Sequence, residues 1–177
     1  GLLEVCEKLG NDSFKHCIVF HSLSKRSNVP GLRSGIVTGD QQLIKRFLQY
    51  RTYHGSSMSP TVQLISEALW RDEKHVIANR ALYREKFSVV TKILNPVMSF
   101  PEPKASFYLW PKTPIDDVNM TRDLYAQKNL TVLPGQFMAR TSEGKNPGKN
   151  RLRLAMVPTV AQCGEGAIRI ASYIRGL

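Results

Sequence analysis

The sequence predicts an α/β fold in two parts. Short apolar runs with β-branched residues, such as residues 17–20, alternate with longer segments whose apolar residues fall on one helical stripe. Alternation of this kind packs helices against a sheet. The chain has 177 residues, 42% hydrophobic and 22% charged, which excludes a disordered tail. No apolar run approaches the ~20 residues that a membrane helix requires.

The first part is predicted to be an incomplete domain. Its elements, in order, are a helix over 2–9, a buried parallel strand over 17–20, a short strand at 36–37 and helices over 41–50 and 60–70. Gly10 ends the first helix, and Asp40 is the N-cap of the helix over 41–50. Ser59 and Pro60 start the helix over 60–70. We expect this domain to occupy residues 1–80.

The second part is predicted to be a complete small α/β domain over residues 81–177. A long helix over 72–94 connects it to the first part and ends at Asn95 and Pro96. The other predicted elements are strands over 97–100, 107–110, 131–133 and 152–157, and helices over 120–128 and 160–175. A polar loop covers residues 141–150.

The chain is strongly basic, and the sequence leaves three explanations open. With 25 Lys+Arg and 14 Asp+Glu, the formal net charge is +11. Nucleic-acid binders are basic but cluster the charge, whereas here no block of five like charges occurs. Binding of phosphates or carboxylates explains the charge as well. Alternatively, the chain is a piece of a larger protein whose other part is more acidic. We expect neither a nucleic acid nor a membrane as partner.

The three cysteines, Cys6, Cys17 and Cys163, have unrelated spacings. An odd number at such spacings predicts neither a disulfide framework nor a zinc site. We therefore expect structural cysteines and a reducing, cytoplasmic location.

A loop rich in serine, glycine and proline follows the first strand and carries the first candidate site. Ser22, Ser24 and Lys25 begin the loop, and the turn at 28–31 can fold Arg33 back towards the lysine. Hydroxyls and a guanidinium are good phosphate ligands, and a lysine amine can bind phosphate or form an imine with an aldehyde. The same residues are also common in ordinary surface loops, and that alternative remains open.

The second candidate site lies in residues 150–157, where basic and apolar residues alternate. On a strand, Arg151 and Arg153 would point to the same face. They could form a carboxylate clamp, or they could be solvated arginines on an edge strand.

The segment S-L-S-K-R-S-N-V-P-G-L-R-S-G resembles the lysine segment of the fold-type I, pyridoxal-phosphate-dependent aminotransferases of class I and II. The family pattern is S-x-S-K followed eight residues later by an arginine within G-x-R-x-G. The residues in register are Ser22, Ser24, Lys25, Gly31, Arg33 and Gly35. This variant most resembles the N-succinyldiaminopimelate aminotransferases of bacterial lysine biosynthesis.

The resemblance implies the PLP-transferase fold type I, with part of the large domain and its parallel sheet in residues 1–80 and the small domain in 81–177. It implies pyridoxal 5′-phosphate as the cofactor and Lys25 as the lysine that forms the imine. Ser22, Ser24 and Arg33 would be the phosphate ligands. Arg153, followed by Leu154 and Ala155, falls on the position that binds the substrate α-carboxylate. Metal is not expected.

The implied reaction transfers an amino group between N-succinyl-L,L-diaminopimelate and 2-oxoglutarate or glutamate. Alternatives are another aminotransferase (aspartate, kynurenine or LL-diaminopimelate type), a related lyase or decarboxylase, or a basic binding module on the same scaffold. Tyr53, His54 and residues 56–59 correspond to a segment near the family's homodimer interface. Since family members are considerably longer, we expect a C-terminal portion that is inactive by itself.

Overall fold

The computed structural model describes residues 1–55, 57–101 and 103–177. The chain divides into two compact units, Gly1–Ala78 and Asn79–Leu177. Each unit combines helices with a small antiparallel sheet. The predicted α/β class is therefore confirmed.

The first unit contains the N-terminal helices and a two-stranded sheet. Its elements are α1 (Leu2–Lys8), β1 (Ile18–Ser22), α2 (Leu23–Arg26), a 3₁₀ turn (Pro30–Leu32), β2 (Gly35–Gly39), α3 (Gln41–Tyr53), α4 (Pro60–Arg71) and the first residues of α5 (Lys74–Leu94). The predicted N-caps are confirmed: the Asp40 carboxylate accepts from the Gln42 and Leu43 amides, and Ser59 Oγ accepts from the Val62 amide. Helix α3 runs further than predicted and ends at Tyr53.

The prediction of a buried parallel strand at 17–20 is wrong. β1 pairs antiparallel with β2, with Ile18 opposite Gly39 and Ser22 opposite Gly35. The physical reason is the connection, since residues 23–34 hold only one helical turn and a 3₁₀ turn and do not form the crossover helix that usually joins parallel strands. The strand is also only half-buried among the described residues, and Phe20 is 62% exposed.

The second unit contains a three-stranded antiparallel sheet in the order β3-β5-β4. Its elements are the rest of α5, β3 (Tyr108–Leu109), α6 (Asp117–Lys128), β4 (Leu133–Pro134), a 3₁₀ turn (Gly135–Met138), β5 (Leu152–Ala155) and α7 (Val160–Arg175). The predicted bounds of α7 are confirmed. Helix α6 begins earlier than predicted because Asp116 accepts hydrogen bonds from the Val118 and Asn119 amides.

The strand predicted over 97–100 is wrong. The amides of Val97 and Met98 both donate to the carbonyl oxygen of Leu94, so the chain turns at the end of α5 instead of extending. Met98 is 6% exposed and belongs to the hydrophobic core. The segment that favoured a strand is therefore a turn, from which the Met98 side chain packs into the core.

The core of the second unit fills the space between its helices and its sheet. Apolar side chains of this unit with no solvent exposure include Leu94, Met120, Leu124 and Leu152. Burying such a side chain contributes about 1.5–3 kcal/mol relative to leaving it in water. This core supports the strand that carries the second candidate site.

The helices of the described chain do not meet the requirements of a membrane span. None of them, over residues 1–55, 57–101 and 103–177, combines the length and apolar character needed to cross a bilayer.

Candidate active site

Ser22 joins β1 to the short helix that carries Lys25. It is the last residue of β1 and also the N-cap of α2, with extended backbone angles of φ −134° and ψ 145°. Its Oγ accepts from the Ser24 amide at 3.0 Å and lies 2.8 Å from Ser24 Oγ. Leu23, between the two serines, is completely buried. The Ser22 and Ser24 hydroxyls are therefore in contact, and the buried side chain of Leu23 anchors the residue between them.

Ser34 closes the other end of this loop. Its carbonyl oxygen accepts from the Leu23 amide at 3.1 Å and lies 3.2 Å from Ser22 Oγ. Its own Oγ accepts from Ser66 Oγ of α4 at 2.7 Å, and both of these serines are 4% exposed. Removing one partner of a buried hydrogen bond leaves the other unsatisfied and lowers the free energy of unfolding. This hydrogen bond therefore holds the loop against α4.

Arg26, which sequence reasoning did not single out, anchors the residue after Lys25. Its guanidinium donates to the carbonyl oxygens of Leu69 at 2.7 Å and Trp70 at 3.3 Å, in the last turn of α4. It also forms an ion pair with Glu73 and lies 5.0 Å from the Trp70 ring centroid. Because a cation at a helix C-terminus is stabilising, Arg26 holds the loop through charge and hydrogen bonds together.

A second anchor lies at Ser27, which follows Arg26. His75 Nε2 is 2.9 Å from Ser27 Oγ, and His75 Nδ1 is 2.6 Å from an Asp72 carboxylate oxygen. The hydrogen bond from His75 lowers the pKa of Asp72. Both anchors leave the preceding Lys25 at the surface.

Lys25 and Arg33 are both exposed on the same loop. Arg33 follows the 3₁₀ turn in the left-handed region, with φ 52°, and its Nη1 donates to the Pro30 carbonyl oxygen at 2.8 Å. Helix α2 packs against this turn. No acidic residue occurs between Ser22 and Gly35. A loop of hydroxyls, an ammonium and a guanidinium without a carboxylate is suited to an anion.

Gly35 is required by the pairing of β1 with β2. A Cβ at this position would lie 2.7 Å from the His21 carbonyl oxygen, which no real Cβ contact tolerates. The glycine of the motif is therefore explained by the close approach of the two strands.

The second candidate site lies on β5 in the other unit. Leu152 and Leu154 are buried, so the predicted alternation is confirmed. The Arg153 guanidinium carbon lies 5.9 Å from the Tyr108 ring centroid, whereas Arg151 Nη1 donates to the Trp110 carbonyl oxygen at 3.2 Å. The edge-strand interpretation is wrong, because β5 lies between β3 and β4.

Asp117 was also missed by sequence reasoning. Its carboxylate is completely buried and accepts from the Gln136 amide at 2.9 Å, the Gln136 side chain at 3.0 Å and the Asn150 amide at 2.9 Å. These donors lie just after β4 and just before β5. Asp117 therefore fixes the backbone just before β5, the strand that carries Arg153.

The remaining described candidates, Tyr53 and His54, are exposed. Tyr53 is 81% exposed, and the His54 ring stacks on Tyr50 with centroids 4.3 Å apart. Ser56 lies outside the described residues. Across the part of the chain that the structure describes, no three His, Cys, Asp or Glu residues are grouped so that they could hold a metal ion.

Comparison with known proteins identifies the family. Residues 7–170 match the family described as aminotransferase class I and II. This chain belongs to that family. Its members depend on pyridoxal 5′-phosphate, and the solved structures that it matches have fold type I, so the predicted family, fold type and cofactor are confirmed. The hydroxyls, ammonium and guanidinium of residues 22–35, a segment whose sequence has no acidic residue, fit the phosphate ester of this cofactor.

Three relatives illustrate the match. The LL-diaminopimelate aminotransferase of Dehalococcoides mccartyi strain CBDB1 is 28% identical over 160 residues, covering 88% of this chain and 40% of the relative. A solved aminotransferase of Neisseria meningitidis Z2491 is 51% identical with a TM-score of 0.93, covering 99% of this chain and 44% of that one. A probable N-succinyldiaminopimelate aminotransferase of Thermus thermophilus is 26% identical with a TM-score of 0.78, covering 91% of this chain and 43% of that one. The chain thus spans less than half the length of these proteins.

Proposed function

We propose that this chain is part of a pyridoxal-phosphate-dependent transaminase that moves an amino group between N-succinyl-L,L-diaminopimelate and 2-oxoglutarate. The family match supports the reaction type, and relatives named for diaminopimelate substrates support the substrate class. The observation that carries the proposal is the contact between Ser22 and Ser24 beside Lys25, on a loop without carboxylates.

In this proposal the loop after β1 holds the cofactor. The hydroxyls of Ser22 and Ser24 donate to phosphate oxygens, and the Arg33 guanidinium neutralises the phosphate charge. The Lys25 amine would hold the cofactor through its aldehyde and would also be the base that accepts the proton from the substrate Cα. The cofactor, when bound, supplies the electron sink for the bond broken at Cα.

Arg153 is the proposed ligand of the substrate α-carboxylate. A guanidinium can bind a carboxylate with two parallel hydrogen bonds, which orients the substrate as well as attracting it. The buried Leu152 and Leu154 hold this side chain on the outer face of the sheet. The Tyr108 ring lies beside the guanidinium and restricts its orientation.

The proposal extends to the whole protein. Residues 1–80 belong to the large cofactor-binding domain, and residues 81–177 form the connecting helix and the small domain. The full-length protein is a cytoplasmic homodimer. Since the chain spans 40% of a curated relative, we expect no transamination by the 177-residue chain alone.

Covalent trapping tests the cofactor site. The full-length protein is incubated with pyridoxal 5′-phosphate, reduced with borohydride, digested and analysed by mass spectrometry. We expect the phosphopyridoxyl group on Lys25, its loss in Lys25→Ala, and no loss in Lys45→Ala, which removes an exposed lysine of α3. A label that persists in Lys25→Ala would overturn the proposed role of this lysine.

Amino-group transfer to 2-oxoglutarate tests the substrate. LL-Diaminopimelate is the second candidate, because a curated relative is named for that activity. We expect a higher kcat/KM with the N-succinylated amine than with free LL-diaminopimelate. The reverse order would favour the second candidate, and release of ammonia or carbon dioxide without transfer would indicate a lyase or decarboxylase.

A further inference from the structure

Two cysteines that are far apart in the sequence meet in the first unit. Cys6 lies in α1 and Cys17 directly precedes β1, and their sulfur atoms are 3.4 Å apart. Cys6 is 4% exposed, whereas Cys17 is only partly buried. Cys17 is therefore the more accessible of the two cysteines to a reagent in solution.

The backbone keeps both cysteines in place. The Cys17 amide donates to the Phe14 carbonyl oxygen at 2.9 Å, and the Cys17 carbonyl oxygen accepts from the Asp40 amide at 2.7 Å. The Cys6 carbonyl oxygen accepts from the Asn11 amide at 2.9 Å. A disulfide bond is about 2.05 Å long, so the sulfur atoms need to approach by roughly 1.4 Å. Rotations of the two side chains have to supply this movement.

We infer that Cys6 and Cys17 form a redox-active dithiol, which a small disulfide such as glutathione disulfide converts into an intramolecular disulfide bond. The site is separate from the cofactor loop and requires neither cofactor nor substrate. It joins α1 to the start of β1, the strand that ends at Ser22. Cys163 has a different environment, with its sulfur 3.5 Å from the Pro158 carbonyl oxygen.

The exchange proceeds in two steps that balance. The Cys17 thiolate attacks one sulfur of glutathione disulfide, which forms a mixed disulfide and releases one glutathione thiolate. The Cys6 thiolate then attacks the Cys17 sulfur, which forms the internal bond and releases the second glutathione. The two thiol protons end on the two glutathione molecules, and the protein is oxidised by two electrons.

The geometry sets this order of events. The hydrogen bond to Cys17, together with burial, raises the pKa of Cys6 and keeps it protonated while Cys17 is reduced. Thiolates are the reactive form of cysteine, so the more exposed Cys17 meets glutathione disulfide first. Cys6 then acts as the resolving thiol.

Peptide mapping of the full-length protein tests the inference. The reduced protein is treated with glutathione disulfide, alkylated and digested without reductant. We expect a peptide pair linked through Cys6 and Cys17, which dithiothreitol separates. Cys6→Ser should accumulate glutathione on Cys17, Cys17→Ser should prevent the link, and Cys163→Ser, the matched control, should leave it unchanged.

Thermal unfolding provides a second measurement. The oxidised protein should unfold a few degrees above the reduced protein, because a closed loop reduces the entropy of the unfolded chain. Stable glutathionylation of Cys17 in the unmutated protein, or no modification of either cysteine, would overturn the inference. Linkage of Cys163 to either cysteine would do so as well.

Discussion

The two units hold their candidate side chains by different means. The loop of Lys25 is positioned by hydrogen bonds and charges, through Ser34 with Ser66 and through Arg26 at the end of α4, in addition to the buried side chain of Leu23. The strand of Arg153 is positioned by an apolar core beneath it, to which the buried carboxylate of Asp117 adds hydrogen bonds. The hydrophobic core cluster lies entirely in the second unit.

This difference shows what each site requires. Hydrogen bonds are directional and hold an irregular loop that no repeating backbone pattern could fix. Apolar packing is non-directional, so it supports a strand whose shape the sheet already determines. Substitutions should therefore act on the first unit through lost partners and on the second through lost volume.

The largest effect is expected from loss of apolar volume under Arg153. Leu152→Ala should destabilise the second unit by about 3 kcal/mol, because it leaves a cavity under β5. Amide hydrogen exchange in α7 of the full-length protein measures this loss. Leu133→Ala, at a residue 42% exposed, is the control and should cost much less. Equal losses would contradict the role of the core.

The next largest effect tests Arg153 itself. Arg153→Ala should raise KM for the 2-oxo acid by about a hundredfold, with a smaller change in kcat, because a charge-assisted pair is lost. Steady-state kinetics with 2-oxoglutarate measures the change. Arg151→Ala removes a guanidinium that donates to a backbone carbonyl instead, so its KM should change far less. A larger effect at Arg151 would move the carboxylate ligand to that residue.

Loss of a polar anchor should have a smaller effect on stability. Ser66→Ala leaves the buried Ser34 hydroxyl without its α4 partner and should cost about 1–2 kcal/mol. We expect faster hydrogen exchange of the Leu23 amide, which donates to the Ser34 carbonyl oxygen. We also expect weaker binding of pyridoxal 5′-phosphate. Ser13→Ala, an exposed serine of the same unit, should change neither quantity.

The smallest effect is a change in pH dependence. The pKa of Asp40 is lowered from 3.8, chiefly by the hydrogen bond from the His16 amide and then by the Leu43 amide. The stability from its charge is therefore present above pH 3.8 and disappears as the pH falls through the lowered pKa. Asp40→Asn keeps the capping oxygen but not the charge. The denaturant midpoints of wild type and variant should differ at pH 7, and the difference should shrink only below pH 3.8, as the pH falls through the lowered pKa; a constant difference would contradict this.

Local sequence signals predicted some elements well. The N-caps Asp40 and Ser59 and the bounds of α7 follow from interactions within one or two helical turns, so the sequence contains them directly. The strand at 97–100 failed for the opposite reason. Its apolar residues satisfy the pattern of a buried strand, but Met98 reaches the core from a turn. The predicted extended backbone is therefore absent, although Met98 is buried.

The candidate residues Ser22, Ser24, Lys25 and Arg33 could be selected because they lie within one short motif. Arg26 and Asp117 could not, since their partners lie far along the chain. Arg26 contacts Leu69 and Trp70, 43 and 44 residues away, and Asp117 accepts from Asn150, 33 residues away. The spacing of such pairs follows no period that a helix or strand would impose.

The sequence by itself determined the α/β class, the family, the lysine loop and the alternation that turns Arg153 outward, because each depends on neighbouring residues. Only the tertiary structure decided that β1 and β2 are antiparallel, that β5 is a central strand, and that Cys6 and Cys17 are in contact. The physical reason is that strand pairing and buried polar contacts form between segments brought together by the collapse of the whole chain, and their geometry depends on every element packed around them.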